Sequence, residues 1–407
     1  MSTTSELSPR ASWILILSAS AILMITMGAR LTTGLFMSPI NTSTGLGIVS
    51  ISFALAVGQF VWGAAQPIFG IVADKYGSPK IIIAGALMLA TGLAITPFMS
   101  SQWGLMLSMG LLSAAGAGAG SFSILIGATA RSLPPQRRAF AAGFINAGGS
   151  LGQFVFAPLM QAIISSAGWV MAMFTMAATT LLTIPLAWSF RKKKVVATPA
   201  STVINEIGLG RQVRLAMRDR SYLCLHAGFF TCGFHIAFLV THLPGEVALC
   251  NLSAGVSATA LALIGLFNII GSLSAGALGS RFRMKYLLVA MYASRAVIIA
   301  AYLLAPKNAW TFYIFAAALG LTWLATVPPT AGLVGKLFGM RYLATLFGLT
   351  LLSHQIGGFF GAWLGGLAME RFGNYNWMWY ADIVLALAAA LVNLPIREAP
   401  LSAPFPA

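Results

Sequence analysis

Twelve apolar stretches, most of them about 20 residues or longer, succeed one another along this chain, with only short polar segments between them. About 20 helical residues rise ~30 Å, the thickness of bilayer hydrocarbon. Inside that hydrocarbon every backbone amide must bond within its own segment, so each run is expected to be a helix that crosses the membrane. With 58% hydrophobic and 8% charged residues among 407, the chain lies far from soluble composition. It is read as an all-α membrane protein.

The first run, 13–36, is too long for a signal-peptide core and has no small-residue cleavage site, so it is expected to be retained as span 1. Spans at 49–72, 80–99, 103–128, 139–164 and 166–190 complete a first set of six. A second set is expected at 221–243, 255–278, 286–304, 310–334, 341–368 and 376–395. The organisation is thus a six-helix unit over 1–190, a basic linker over 191–220, and a second six-helix unit with a short tail over 221–407.

Charge placement sets the orientation. In a soluble chain 24 Lys+Arg against eight Asp+Glu would suggest a nucleic-acid binder. Here Arg30 and Arg295 lie inside spans and Lys307 and Arg371 in outer loops, leaving 20 bases on the side of the termini. The densest group is the linker, from Arg191 to Arg220. By the positive-inside rule both termini are expected in the cytoplasm, in a cell inner membrane, with the bilayer as the macromolecular partner and no nucleic acid. A monomer is expected.

Some patterns carry little. Cys224, Cys232 and Cys250 show no zinc spacing, and the run Gly116-Ala-Gly-Ala-Gly120 lies mid-span with no strand before it, so it reads as close helix packing. No metal, cofactor or enzymatic constellation is expected.

One loop has a specific pattern: Gly70-Ile-Val-Ala-Asp-Lys-Tyr-Gly-Ser-Pro-Lys80, between spans 2 and 3. Gly-x-x-x-Asp-Lys-x-Gly-x-x-Lys resembles the loop signature of the major facilitator superfamily, with Pro79 where that family often has a base. A degenerate echo follows span 8 at Gly276–Lys285, with Ser280 in place of the aspartate. The resemblance implies twelve transmembrane helices in two pseudo-symmetric six-helix bundles. It also implies that spans 1, 4, 7 and 10 line a central cavity, with 2, 5, 8 and 11 flanking it. Gly70, Asp74, Lys75, Gly77 and Lys80 then form a loop that governs conformational switching.

Polar groups inside spans are expensive and are the candidates for chemistry. Arg30 on span 1 is the strongest, because a permanent, forked guanidinium suits a carboxylate. His235 on span 7 and His354 on span 11 are candidates for binding substrate or carrying a proton, since an unperturbed imidazole changes charge near neutral pH. Gln59, Asn146, Asn268 and Thr322 complete the candidate substrate site. Arg295 and Asp382 fall on spans 9 and 12, where a scaffold role is expected. No acid falls on a predicted cavity span, which argues against a sodium site.

The segments Arg30–Ile40, Gln66–Gly70 and Arg131–Arg138 resemble bacterial relatives of monocarboxylate transporters and oxalate:formate exchangers. Span 1 lacks the acid those carriers often place there, and span 8 has Asn268 but no arginine. The implied activity is secondary transport of a small organic anion by alternating access, proton-coupled or by exchange. The alternative is efflux of drugs or other amphipathic molecules through a cavity lined by Phe, Met and Trp323.

Overall fold

The computed structural model describes residues 8–130, 132–133, 135–191, 208–279, 281–339 and 342–398. The readings on Arg131, on 192–207 of the linker, on Ser280 and on Arg341 lie outside these, as do the side chains of Asp74 and Lys75. Ten helical stretches are long and apolar enough to cross a membrane. One of them, Ala141–Phe190, is two spans that reverse at Gly168, where φ is 84°. Leu343–Phe372 supplies a further crossing of 30 residues. The chain therefore has twelve spans in two six-helix bundles.

In chain order, span 1 is Pro9–Leu31, extended through Thr33–Phe36 and Met37–Thr44. Span 2 is Ile48–Tyr76 and span 3 Ser78–Ile95. Span 4 starts at Gln102 and contains a π-helical stretch, Met106–Ser113. Spans 5 and 6 are the two parts of 135–190. Spans 7, 8 and 9 are Arg220–Leu249, Ala254–Leu278 and Met284–Leu304. Span 10 is broken into Ala309–Thr322 and Val327–Phe338, and span 12 is Asn376–Asn393. A short helix, Leu209–Ala216, precedes span 7 and presents Arg211 and Arg214 to the outside.

Aromatic side chains mark the two water boundaries. Trp13 and Trp188 are exposed near the face that bears the termini, and Trp103 and Trp310, at 72% and 73% exposure, near the other. Polar caps start the helices where water is available: Ser8 accepts from the Ala11 amide at 3.2 Å, and Asn308 from the Thr311 amide at 3.0 Å.

Three expected boundaries move. The short loop between spans 2 and 3 shrinks to one residue: the helix runs on through Tyr76, and Gly77 alone, at φ +94°, turns the chain into Ser78. Only a residue without Cβ takes that backbone conformation cheaply. Span 7 continues to Leu249, so Glu246 joins a cavity span, against the expectation that no acid does. Span 10, expected intact, breaks at Trp323–Thr326, just ahead of Pro328 and Pro329.

The bundles touch through spans 2 and 11, 5 and 8, and 1 and 7. Glycines permit the closest approaches. A Cβ on Gly34 would stand 2.1 Å from the Val240 carbonyl oxygen, one on Gly63 2.3 Å from Gln355 Cγ, one on Gly265 2.7 Å from the Ser150 oxygen, and one on Gly366 1.9 Å from Ser52 Oγ. These contacts lie at mid-membrane or on the half away from the termini. Moving seven or eleven residues along a helix returns to nearly the same face. Doing so toward the terminal face leads from Gly63 to Gly70, from Gly265 to Gly276, from Ser150 to Gly143 and from Gln355 to Gly348. Each of these four glycines meets open space where a side chain would stand. The bundles are closed together on the far side and parted on the terminal side.

Candidate functional site

Arg30 occupies the last turn of the first segment of span 1, just before the 3-10 turn Thr33–Phe36. Its Nη2 donates to Gln59 Oε1, and its guanidinium lies 4.3 Å from the centre of the Trp62 ring. Gln59 and Trp62 are three apart on span 2 and so share a face. A cavity of about 40 Å³ adjoins the guanidinium, lined by Ala29, Thr33, Gln59, Met109 and Ser113, which is room for a few waters. Met109 and Ser113 come from the π-helical stretch of span 4, a distortion that often accompanies function. Across the bundle boundary, a Cβ on Gly358 of span 11 would lie 3.5 Å from Gln59 Cβ. Among the described residues, no carboxylate pairs with Arg30.

His235 finds its partner within its own bundle. It is buried within the second bundle, at 1% exposure, and its Nδ1 is bonded to Asp382 of span 12. Asp382 and Arg295, for which a scaffold role was expected, both turn inward to this cluster. Arg295 Nη2 donates to the carbonyl oxygens of Thr322 and Trp323, the latter at 2.7 Å. These carbonyls end the first half of span 10, where a helix leaves its last acceptors unpaired and its dipole favours a cation. The His235 ring stacks edge-on against Trp323 at 5.8 Å.

Asn268 holds the same break from the other side. Its Oδ1 accepts from the Leu324 amide at 2.9 Å, while its Nδ2 donates to Ser150 Oγ of span 5 at 2.8 Å. The residue thus ties the break in span 10 to the first bundle. Thr322 contributes its main chain to Arg295, while its hydroxyl returns to the Leu319 oxygen at 3.1 Å. His354 bonds Gln355 through Nδ1 at 3.0 Å and packs on Phe229 at 5.2 Å. Asn146 is half-buried on the face of span 5 that carries Gly143 and Ser150, so it borders the parted side. In the switch segment Gly70 borders open space and Lys80 is exposed.

Sequence reasoning missed Trp62, Ser150 and Glu246. Glu246 accepts from the Tyr302 hydroxyl at 2.6 Å near the far end of the second bundle. The three-residue offset from Gln59 was a usable signal for Trp62, but nothing local announced the other two.

The sequence profile described as Major Facilitator Superfamily matches residues 18–362. The chain is 25% identical over 394 residues to monocarboxylate transporter 13 of Rattus norvegicus, covering 94% of this chain and 89% of that protein. It is 23% identical over 393 residues to the oxalate:formate antiporter of Oxalobacter formigenes, covering 94% and 91%. Among solved structures, a bacterial homolog of the human lysosomal transporter Spinster, inward-facing and unoccupied, superposes with a TM-score of 0.71 at 15% identity over 96% of this chain and 95% of that one. This last likeness concerns the fold alone. The profile spans most of both bundles, and the chain is accordingly a multi-pass membrane transport protein of the Major Facilitator Superfamily.

Proposed function

We propose that the protein carries a small organic anion, a carboxylate, through the cleft between its bundles by alternating access. The observation that carries this reading is Arg30: a permanent positive charge deep in span 1 whose described partners are a neutral amide and an indole ring. An uncompensated charge at that depth costs several kcal/mol. An anionic substrate offsets this cost while it is bound. The names of the relatives, monocarboxylate transporter and oxalate:formate antiporter, agree in charge and size class.

Gln59, Asn146, Asn268, Thr322 and His354 surround the cleft in this reading and contact either the substrate or the elements that hold it. The termini face the cytoplasm of a cell whose inner membrane holds the protein, because Arg191, Arg214, Arg218 and Arg220 crowd that face. Transport is driven by protons or by exchange of one anion for another.

A thermal-shift screen tests the reading without a transport assay, since a ligand stabilises the folded state by RT ln(1 + [L]/Kd). Small carboxylates should raise the melting temperature and Arg30→Gln should erase the rise. Stabilisation by amphipathic cations alone, with carboxylates silent, would instead favour efflux.

The switch segment yields a separate expectation. Asp74 lies in the last helical turn of span 2, beside the one-residue turn at Gly77, on the terminal face and away from Arg30. Asp74→Asn should slow turnover by tenfold or more while leaving equilibrium affinity within about twofold. A tenfold loss of affinity, about 1.4 kcal/mol, would place Asp74 in the substrate site.

A further inference from the structure

We propose that His235, Asp382 and Arg295 form a proton-binding site inside the second bundle, and that its occupancy sets the bend of span 10. The role in transport rests on the reading above, but the site itself stands on its own geometry. His235, Asp382 and Arg295 are 1%, 0% and 1% exposed. A single charge buried so deeply costs several kcal/mol, and Arg295 and Asp382 bring opposite charges to this one cluster, Arg295 on the Trp323 carbonyl and Asp382 on His235.

The proton has a defined place to bind. A carboxylate only accepts, so the hydrogen between His235 and Asp382 belongs to Nδ1, and Nε2 is left as a bare acceptor. Nε2 is buried and has no partner. A proton added there, from water, makes the imidazolium; its Nδ1–H bond to Asp382 persists and becomes charge-assisted on both sides. Asp382 Oδ1 and the Nε and Nη1 of Arg295 are also buried without partners. Buried polar groups are normally paired, and this unused capacity lets the cluster take up a further charge.

Further titratable groups face the pair from the spans packed against it. Span 7 adds Cys232, whose Sγ lies 3.5 Å from Thr326 Oγ1. Span 9 adds Tyr292, its ring 5.3 Å from the Arg295 guanidinium. Span 11 adds His354, bonded to Gln355. Span 10 brings Trp323 and Thr326 and no charge at this level.

The consequence for span 10 is mechanical. Arg295 holds the carbonyls of Thr322 and Trp323, and the His235 ring lies against Trp323. A second positive charge in the cluster repels the Arg295 guanidinium, which changes how hard Arg295 pulls on the broken end of the helix. Asn268 joins that end to Ser150, so the change reaches the contact between bundles.

The test reads Trp323 directly and needs no substrate, since a protonated imidazole quenches a neighbouring indole. Tryptophan fluorescence of the purified protein is titrated from pH ~5 to ~8, around the ordinary histidine range, and the Trp323→Phe signal is subtracted. The difference should follow a single titration, vanish in His235→Gln and show a displaced midpoint in Asp382→Asn. A flat difference in the native protein, or an unchanged titration in His235→Gln, overturns the proposal. In proteoliposomes, the ratio of uptake with and without an inward proton gradient should fall toward one in His235→Gln. A retained ratio would show that the proton binds elsewhere. Because the titration uses no anion, failure of the anion reading and failure of this site give different results.

Discussion

Arg30→Gln is expected to weaken anion binding by about a hundredfold or more, and Arg30→Lys by roughly tenfold. Removing one partner from a buried ion pair costs about 3 kcal/mol or more, or two decades of affinity at ~1.4 kcal/mol per decade. Lysine keeps the charge but not the planar fork, and its compact ammonium stacks less well over Trp62, which lies 4.3 Å from the guanidinium. The protein itself should tolerate Arg30→Gln, because the change removes an uncompensated charge from the membrane. Titration calorimetry with a small carboxylate measures all three proteins, and equal affinities would remove Arg30 from the site.

Gly34→Leu should have the second largest effect, on conformation instead of binding. Even a Cβ at position 34 would stand 2.1 Å from the Val240 oxygen and 2.8 Å from the Thr241 oxygen, both backbone atoms that cannot step aside. Overpacking of this kind costs about 1–3 kcal/mol. The clash exists only while spans 1 and 7 are closed on the far side, so it shifts the population roughly ten- to a hundredfold toward the opposite state. Gly348→Cys provides the readout, because position 348 borders open space on the parted side. Its maleimide labelling, measured over the background of the native cysteines, should slow by a similar factor once Gly34→Leu is added. An unchanged rate would mean that the bundles do not exchange between two closures.

The spans were legible in the sequence because hydrocarbon thickness imposes length and hydropathy at once, and a run such as 286–304 has no other use for so many apolar residues. Arg30 was legible for the complementary reason: a guanidinium amid apolar residues has to be explained. The break in span 10 was half legible. Pro328 and Pro329 signal it, but the stretch stays apolar throughout, so hydropathy passes over the interruption. The pairing of His235 with Asp382 was not legible, since the two lie 147 positions apart and only the packing of span 12 on span 7 brings them together. Lys75 and Lys80 suggested a wet loop between spans 2 and 3. The helix instead runs on through Tyr76 and reverses at one glycine.

The central claim is that the two bundles move a small anion past Arg30, and uptake into proteoliposomes tests it most directly. Purified protein should take up a radiolabelled small carboxylate saturably, above protein-free vesicles. Excess unlabelled carboxylate should compete, and Arg30→Gln should reduce uptake to the background. Saturable uptake of amphipathic cations with none of carboxylates, retained at full rate by Arg30→Gln, would contradict the account.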